Sequence, residues 1–195
     1  DLKNHLVCTI VGNFYASKNQ QIAIHALNIL TKQYNLQAYL LLAGYGKCKK
    51  QCIKLIKALG LTKNVYILGY VNDVKSLIYH SDIVINTSKK EAFGISILEA
   101  AAMTKPIIAS ANTGTCALIE HMQTGLTFNV DSPTELAAAI SLYAENKPLR
   151  SALAQRCHQR MLNNYTYQHS VDKILALYEL LNHESCSKQD IRTGE

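Results

Sequence analysis

The chain has 195 residues, of which 48% are hydrophobic and 17% are charged, and its formal net charge is +6. This composition excludes a disordered chain, and no apolar run approaches the roughly 20 residues that a membrane-spanning helix needs. The basic residues are scattered without an aromatic-rich RNA motif or a zinc finger, so we expect no nucleic-acid partner. A chain of this length can bury one core, and we expect one domain over residues 1–182 followed by a disordered tail over 183–195.

Short apolar runs alternate with amphipathic stretches along the chain. The apolar runs predict six strands, at Leu6–Val11, Ala38–Ala43, Val65–Leu68, Ile83–Ile85, Ile107–Ala109 and Leu126–Phe128. The stretches between and after them predict helices at Asn19–Tyr34, Lys49–Leu59, Asp73–Tyr79, Gly94–Thr104, Pro133–Glu145, Pro148–Asn163 and Tyr167–Leu181, with a short helical turn at Ala117–His121. Strands rich in Val, Ile and Leu without alternation are buried on both faces. The sequence therefore predicts a doubly wound α/β fold with a parallel sheet and extra C-terminal helices.

Glycine and polar residues follow four of the predicted strands. Gly12-Asn13 ends the first strand, Gly44-Tyr45-Gly46 the second, Gly69-Tyr70 the third and Asn86-Thr87-Ser88 the fourth. Ligands of open parallel sheets bind beyond the carboxyl ends of the strands, which favours a site at this edge. Tight turns also need glycine, so turn chemistry alone is the alternative explanation.

The segment Ser88–Pro106 predicts a turn and a helix that carry two carboxylates, Glu91 and Glu99. If the helix begins near Phe93 or Gly94, its first N–H groups have no intrahelical partners and favour a phosphate. Glu99 would lie roughly 7–8 Å along the helix, at the distance of a ribose, and Glu91 near the group that the diphosphate carries. Carboxylates accept hydrogen bonds from vicinal hydroxyls, so both suit sugar recognition. Alternatively, Glu91 is a helix-start charge and Glu99 a surface residue.

The Glu-x7-Glu spacing with an internal Phe-Gly, followed by LEAAAMTKPIIAS, resembles the retaining GT-B glycosyltransferases of family 4. The resemblance continues upstream through VGNF, SKNQ, LLLAGYGK, VYILGYVNDV and SDIVINTSKKEAFG, and downstream through TGTCALIEHMQTGLTF. It covers nearly the whole chain and matches the C-terminal half of such enzymes, the Rossmann-like domain that binds the nucleotide-sugar donor. The resemblance thus implies one half of a GT-B fold. Because strand-like sequence begins within six residues of Asp1, we expect the chain to be a piece of a larger protein.

The resemblance also implies roles for the carboxylates and for the start of the helix. By this resemblance, Glu91 would contact hydroxyls of the donor sugar, and Glu99 would contact the ribose. The backbone amides of Phe93, Gly94 and Ile95 would bind the diphosphate.

Further roles fall on the loops after the first three strands. Lys18 would neutralise the leaving diphosphate, Gly69-Tyr70-Val71 would contact the base, and Gly12 and Gly44 would shape the floor of the site. The catalytic candidates are Lys18 and Glu91. The donor-binding candidates are Gly12, Asn13, Lys18, Gly44, Gly69, Tyr70, Val71, Ser88, Glu91, Phe93, Gly94, Ile95 and Glu99.

One departure from the family concerns the cations. Asn13 stands where the family commonly has an arginine that partners the lysine, and a lysine alone cannot give the bidentate grip of arginine. A non-catalytic module with a degenerate donor site is therefore one alternative. A sugar-nucleotide epimerase or a phosphorylase with GT-B architecture is another.

We therefore predict the donor-binding domain of a retaining glycosyltransferase of hexosyltransferase type, with a UDP- or GDP-sugar as substrate and no cofactor. No Asp-x-Asp pair occurs to hold Mg²⁺ or Mn²⁺, so we expect no metal site. The acceptor, a glycan or a lipid-linked molecule, would bind a missing N-terminal domain, and the isolated chain would be inactive. The sequence shows no secretory signal, so we expect a cytoplasmic protein in carbohydrate biosynthesis, with peripheral association of the full-length enzyme at the cytoplasmic membrane face.

Overall fold

The computed structural model describes residues 5–190, which form one six-stranded sheet covered by helices. The strands are β1 (Leu6–Val11), β2 (Ala38–Ala43), β3 (Val65–Gly69), β4 (Ile83–Asn86), β5 (Ile107–Ser110) and β6 (Leu126–Phe128). The helices are α1 (Gln20–Gln33), α2 (Lys49–Ala58), α3 (Val74–Tyr79), α4 (Ile95–Ala102), α5 (Thr113–Leu118), α6 (Pro133–Glu145), α7 (Lys147–Asn164) and α8 (Tyr167–Asp190), and a 3₁₀ turn at Ala16–Lys18 precedes α1.

The strands lie in the order β3-β2-β1-β4-β5-β6, and every pair is parallel. All four residues of β4 and all four of β5 are buried, as continuous apolar strands require in a sheet covered on both faces. The chain winds outward from β1 to β3 and then returns to the other side of β1 with β4. The predicted Rossmann-like, doubly wound sheet is confirmed, and its order reverses between β1 and β4.

Two apolar clusters hold the helices against the sheet. The larger cluster packs α1 and α6 on one face, with Phe14, Leu30 and Tyr143 fully buried. The smaller cluster packs α4 against α7 around Ile97 and Ala100. Because α4 buries alanines, its backbone can lie close to the sheet. The packing fixes the position of α4 relative to β4 and β5.

Most predicted elements are confirmed within one or two residues, and β1, β2 and β6 have the predicted bounds. The helical turn predicted at Ala117–His121 is wrong in position, because α5 begins at Thr113. The reason is the side chain of Asn112, which accepts hydrogen bonds from the amides of Gly114 and Thr115 and closes a capping box.

The predicted end of the last helix at Leu181 is corrected, because α8 continues to Asp190. No glycine or proline occurs between Leu181 and Asp190, so nothing in the backbone chemistry stops the helix there. The remainder of the predicted tail, residues 191–195, lies outside the described residues. Within residues 5–190, no helix is long and apolar enough to cross a membrane.

Candidate functional site

A cleft of about 440 Å³ opens beyond the carboxyl ends of β1 and β4. Its walls are the loop after β1, the loop before α4 and the first turn of α4, which contribute Val11, Gly12, Asn13, Tyr15, Lys18, Glu91, Ala92, Phe93, Gly94, Ile95, Ser96 and Glu99. This is the point at which the strand order reverses, where open α/β sheets bind ligands. The structure therefore brings both catalytic candidates and most of the predicted donor-binding residues to one cleft.

Lys18 and Glu91 form an ion pair inside this cleft. Lys18 Nζ lies 2.7 Å from Glu91 Oε2, although 73 positions separate the two residues in the sequence. The side chain of Lys18 is 30% exposed and that of Glu91 is 13% exposed, so the pair is shielded from solvent more than a surface salt bridge. The 3₁₀ turn that ends at Lys18 and the left-handed Asn19 (φ 49°) that follows it direct the chain into α1.

Glu91 accepts two further hydrogen bonds on the same oxygen. Ser88 Oγ donates to Glu91 Oε2 at 2.9 Å, and Asn86 Nδ2 donates to it at 3.4 Å. Partial burial by itself raises the pKa of Glu91. The hydrogen bonds from Lys18, Ser88 and Asn86 and the charge of Lys18 outweigh that effect and hold the pKa below its ordinary value. Glu91 is therefore a carboxylate at neutral pH.

The loops after β1 and β4 are also joined through their backbones. Thr87 Oγ1 donates to the carbonyl of Lys18 at 2.6 Å, and the amide of Lys89 donates to the carbonyl of Ser17 at 2.7 Å. Thr87 itself is buried. These bonds hold the backbone of Lys18 next to β4, so the ion pair forms between groups that are already close.

The first turn of α4 presents backbone amides to the cleft. Gly94 precedes the helix in the left-handed conformation (φ 85°) and supplies no side-chain cap. The first helical hydrogen bond is that from the amide of Ile97 to the carbonyl of Gly94, at 2.9 Å. The preceding amides thus carry the partial positive charge of the helix start. Glu99 is an exposed residue on the same helix, about 6 Å along the axis from Ile95.

Asn13, at the position where an arginine would be expected, is engaged by neighbouring loops. Its Oδ1 accepts a hydrogen bond from the amide of Tyr45 at 3.4 Å, and its carbonyl accepts one from Gln20 Nε2 at 3.0 Å. Gln20 is 2% exposed and also donates to the carbonyl of Gly12 at 3.1 Å. Among the described residues that line the cleft, Lys18 alone carries a positive charge.

Five predicted residues lie outside the lining of the cleft: Gly44, Gly69, Tyr70, Val71 and Ser88. Gly44 packs behind the loop after β1, because a Cβ on it would lie 2.3 Å from the carbonyl oxygen of Gly12. Its amide donates to the carbonyl of Gly69 at 2.7 Å, so the ends of the first three strands are adjacent. Tyr70 is largely exposed beyond β3, whereas Ser88 is buried behind Glu91.

Sequence reasoning missed three residues that shape this site. Gln20 supports the loop after β1, and Asn112 donates to the carbonyl of Ser88 at 2.9 Å. Gly114 packs so closely on the loop before α4 that a Cβ would lie 1.9 Å from the carbonyl oxygen of Glu91. The only sequence signals were a glutamine shortly after Lys18 and an Asn-Thr-Gly-Thr run after β5.

A larger cavity, of about 630 Å³, lies at the opposite end of the strands, beyond the start of β1, among Leu36, Leu77 and Arg150. The carboxylate there, Asp82, accepts a hydrogen bond from the amide of Val7 at 2.9 Å and lies 3.9 Å from Arg150. The ends of α1, α3 and α6 lie at this cavity, and so does the first turn of α7 with Lys147 and Arg150. In the described part of the chain, no three His, Cys, Asp or Glu side chains are placed to hold a metal ion.

Comparison with known proteins identifies relatives for nearly the whole chain. The family model of glycosyl transferases group 1 matches residues 2–160. Alpha-D-kanosaminyltransferase of Streptomyces kanamyceticus is 27% identical over 91% of this chain and 46% of its own length. N-acetyl-alpha-D-glucosaminyl L-malate synthase of Bacillus anthracis is 27% identical over 89% of this chain and 44% of its own length. The chain thus spans about half the length of these curated relatives.

Solved structures share the fold. HepE of Anabaena in complex with UDP-glucose is 26% identical, with a TM-score of 0.84, over 91% of this chain and 50% of that protein. The C-terminal domain of the group 1 protein LpcC of Francisella tularensis is 24% identical, with a TM-score of 0.75, over 83% of this chain and 87% of that domain. The predicted resemblance to the C-terminal half of GT-B enzymes is confirmed at the level of the fold.

We predict that Gly114→Ala destabilises the chain by about 1–3 kcal/mol, because the added methyl group forces the backbone of Glu91 to move. Gly12→Ala is the matched control, since the nearest atom to its new Cβ is Lys18 Cδ at 3.9 Å, an ordinary contact. Urea denaturation of both variants measures the difference. Equal stabilities of the two variants would contradict the close contact between Gly114 and Glu91.

We predict that Lys18→Met lowers the stability of the folded chain by an amount that depends on pH. Glu91 has a depressed pKa in the folded state, so its ion pair contributes stability at neutral pH, and this contribution is lost as the pH falls through that pKa, below the usual range of a glutamate. The variant should be about 1 kcal/mol less stable than the parent chain at pH 7 and nearly equal to it in strong acid. Lys89→Met, which removes an exposed pair with Asp131 at 3.4 Å, is the control and should change stability by less than about 0.5 kcal/mol. A loss of stability in Lys18→Met that does not depend on pH would refute the role assigned to the ion pair.

Proposed function

Because this chain belongs to the group 1 glycosyltransferases, we propose that it is the donor-binding part of a retaining glycosyltransferase that works without a metal ion. Such an enzyme would transfer a hexosyl-type group from a nucleotide sugar to a glycan, a lipid or another acceptor. The acceptor would bind a part of a longer protein that this chain does not include. The observation that carries the proposal is the contact between Lys18 and Glu91 in the cleft beside the start of α4.

The chemistry of the cleft suits a diphosphate that leaves with the nucleotide. The ammonium group of Lys18 has three hydrogens, and one hydrogen bond to Glu91 leaves two for phosphate oxygens. The amides at the start of α4 add partial positive charge on the other side. As the bond between sugar and phosphate breaks, negative charge grows on the diphosphate, and charges already in place stabilise it most effectively. We assign to Lys18 and α4 the task that a metal ion has in other transferases.

The two carboxylates of the cleft suit the hydroxyl groups of the donor. Glu91 is ionised at neutral pH and lies next to Lys18, so it can accept hydrogen bonds from the sugar that the diphosphate carries. Glu99 lies further along α4, where the ribose would follow the phosphates. HepE, which shares this fold, was solved with UDP-glucose, and this makes UDP-glucose the first donor to test.

Asn13 leaves the cleft with one full positive charge for a ligand that carries about two negative charges. We expect this to lower donor affinity, because the second cation of the family is missing and the side chain of Asn13 is bonded to the amide of Tyr45. A cytoplasmic location fits a nucleotide-sugar substrate. Peripheral contact with the membrane would follow if the acceptor is lipid-linked.

Isothermal titration of the chain with UDP-glucose, GDP-glucose and UDP, first in EDTA and then with MgCl₂, tests the proposal. We expect at least one of these ligands to bind at millimolar concentration or better, with the same affinity in both buffers. Lys18→Ala should weaken UDP binding and Glu99→Ala should weaken UDP-glucose binding, each by about tenfold or more, because one hydrogen bond to a charged group contributes roughly 1.5–3 kcal/mol.

Lys89→Ala is the control for general charge effects, because Lys89 lies on the loop that carries Glu91 but pairs with the exposed Asp131. Its affinity should stay within about twofold of the parent chain. Failure of all three ligands to bind at millimolar concentration would overturn the proposal, and a requirement for Mg²⁺ would overturn its metal-free part.

A further inference from the structure

The hydrogen bonds on Glu91 are distributed unevenly between its two oxygens. Lys18, Ser88 and Asn86 all donate to Oε2, at 2.7, 2.9 and 3.4 Å. The bonds that Glu91 accepts from the described residues include none to Oε1. A carboxylate can rotate and exchange its two oxygens, so this arrangement selects one orientation. The second oxygen remains available on a side chain that lines the cleft.

Ser88, one of these donors, is itself fixed from behind. It is 2% exposed and does not line the cleft. Its carbonyl accepts hydrogen bonds from Ser110 Oγ at 2.6 Å and from Asn112 Nδ2 at 2.9 Å, and its amide donates to Asn86 Oδ1 at 3.0 Å. With its backbone held on both sides, the hydroxyl of Ser88 has a defined position from which to donate to Glu91.

Asn112 uses the two ends of its amide group for different partners. Its oxygen accepts from the amides of Gly114 at 3.1 Å and Thr115 at 3.2 Å and thereby caps α5. Its nitrogen donates to the carbonyl of Ser88. The cap of α5 and the loop that carries Glu91 therefore share one side chain, and Gly114 packs directly against the carbonyl of Glu91.

We propose that Ser88 and Asn112 are positioning residues, which hold Oε2 of Glu91 so that Oε1 accepts a hydroxyl group of the sugar carried by the donor. This inference rests on the proposed function for the identity of the ligand. Neither residue touches the donor. Ser88 acts through Glu91, and Asn112 acts through Ser88.

The separation between sugar and nucleotide makes the inference testable. The amides of α4 and the ammonium group of Lys18 bind the diphosphate whether or not a sugar is attached. UDP-glucose offers the hydroxyls of its glucose to Glu91, whereas UDP has no sugar beyond the diphosphate. A change in the orientation of Glu91 should therefore weaken the binding of UDP-glucose and leave the binding of UDP unchanged. General damage to the cleft should weaken the binding of both ligands.

The first test compares Ser88→Ala with Ser141→Ala. Ser141 is a matched control, because it is also buried and donates to a glutamate, Glu145, at 2.7 Å, but lies on α6. For Ser88→Ala we expect about a tenfold loss of UDP-glucose affinity and less than about a twofold change for UDP. Ser141→Ala should leave both affinities unchanged. An equal loss for both ligands, or no loss for either, would overturn the inference.

The second test needs no ligand. The pKa of Glu91, measured by NMR from the titration of its side-chain carboxyl carbon, should rise in Ser88→Ala, because a hydrogen bond that lowers it is removed. Ser141→Ala should leave the pKa of Glu91 unchanged. An unchanged value in Ser88→Ala would overturn the positioning role. If the parent chain binds none of UDP-glucose, GDP-glucose and UDP, the proposed function fails, and this titration still decides whether Ser88 donates a hydrogen bond to Glu91.

A third variant separates positioning from folding. Asn112→Asp keeps an oxygen that caps α5, since aspartate caps helices as well as asparagine, but it replaces the donor to the carbonyls of Ser88 and Ser110 by an oxygen that these carbonyls repel. Like Ser88→Ala, Asn112→Asp should lower the ratio of UDP-glucose affinity to UDP affinity. If Ser88→Ala does not fold, this ratio decides the question, and an unchanged ratio would overturn the inference.

Discussion

The ion pair between Lys18 and Glu91 is the interaction on which the geometry of this cleft depends. A parallel sheet whose strand order reverses between β1 and β4 leaves a crevice there, because the following helices turn to opposite faces. Each wall of the crevice is a loop, and loops alone do not fix side chains. Lys18 and Glu91 connect the two walls at 2.7 Å, and without its partner Glu91 would be a carboxylate shielded from water with fewer donors.

Close backbone packing makes that contact possible. Gly44 allows β2 to approach the carbonyl of Gly12, and Gly114 allows the start of α5 to approach the carbonyl of Glu91. A side chain at either position would displace one wall of the cleft, because its Cβ would lie 2.3 Å from the carbonyl oxygen of Gly12 or 1.9 Å from that of Glu91. These contacts place the backbones of the two walls, and the ion pair then fixes the side chains of Lys18 and Glu91, so that the charged groups need little rearrangement to meet a ligand. Such preorganisation is what makes electrostatic stabilisation effective.

The sequence carried enough information for the sheet and for the principal residues of the cleft. Continuous apolar runs such as Leu6–Val11 and Ala38–Ala43 have one stable place in a covered parallel sheet, so their bounds were predictable. Lys18 and Glu91 follow strands that end at the same edge, and the family resemblance assigned both to one site. Their convergence was therefore expected from topology, although a hydrogen-bond distance was not.

Other features depend on contacts that no local pattern encodes. The earlier start of α5 comes from one side chain, Asn112, which also bonds to a loop 24 positions away. Ser88 was expected to contact the donor, but the structure buries it behind Glu91, because the turn before α4 directs its hydroxyl inward. The convergence of three donors on one oxygen of Glu91 is likewise visible only in three dimensions.

The most direct measurement of the central claim is amide chemical-shift mapping of the ¹⁵N-labelled chain with UDP-glucose. If the cleft between β1 and β4 binds the donor, the largest shifts will fall on Gly12, on the first turn of α4 and on the residues around Lys18. If the shifts instead gather at the opposite end of the strands, around Leu36, Leu77 and Arg150, or if no amide shifts at millimolar ligand, the assignment of the cleft is wrong.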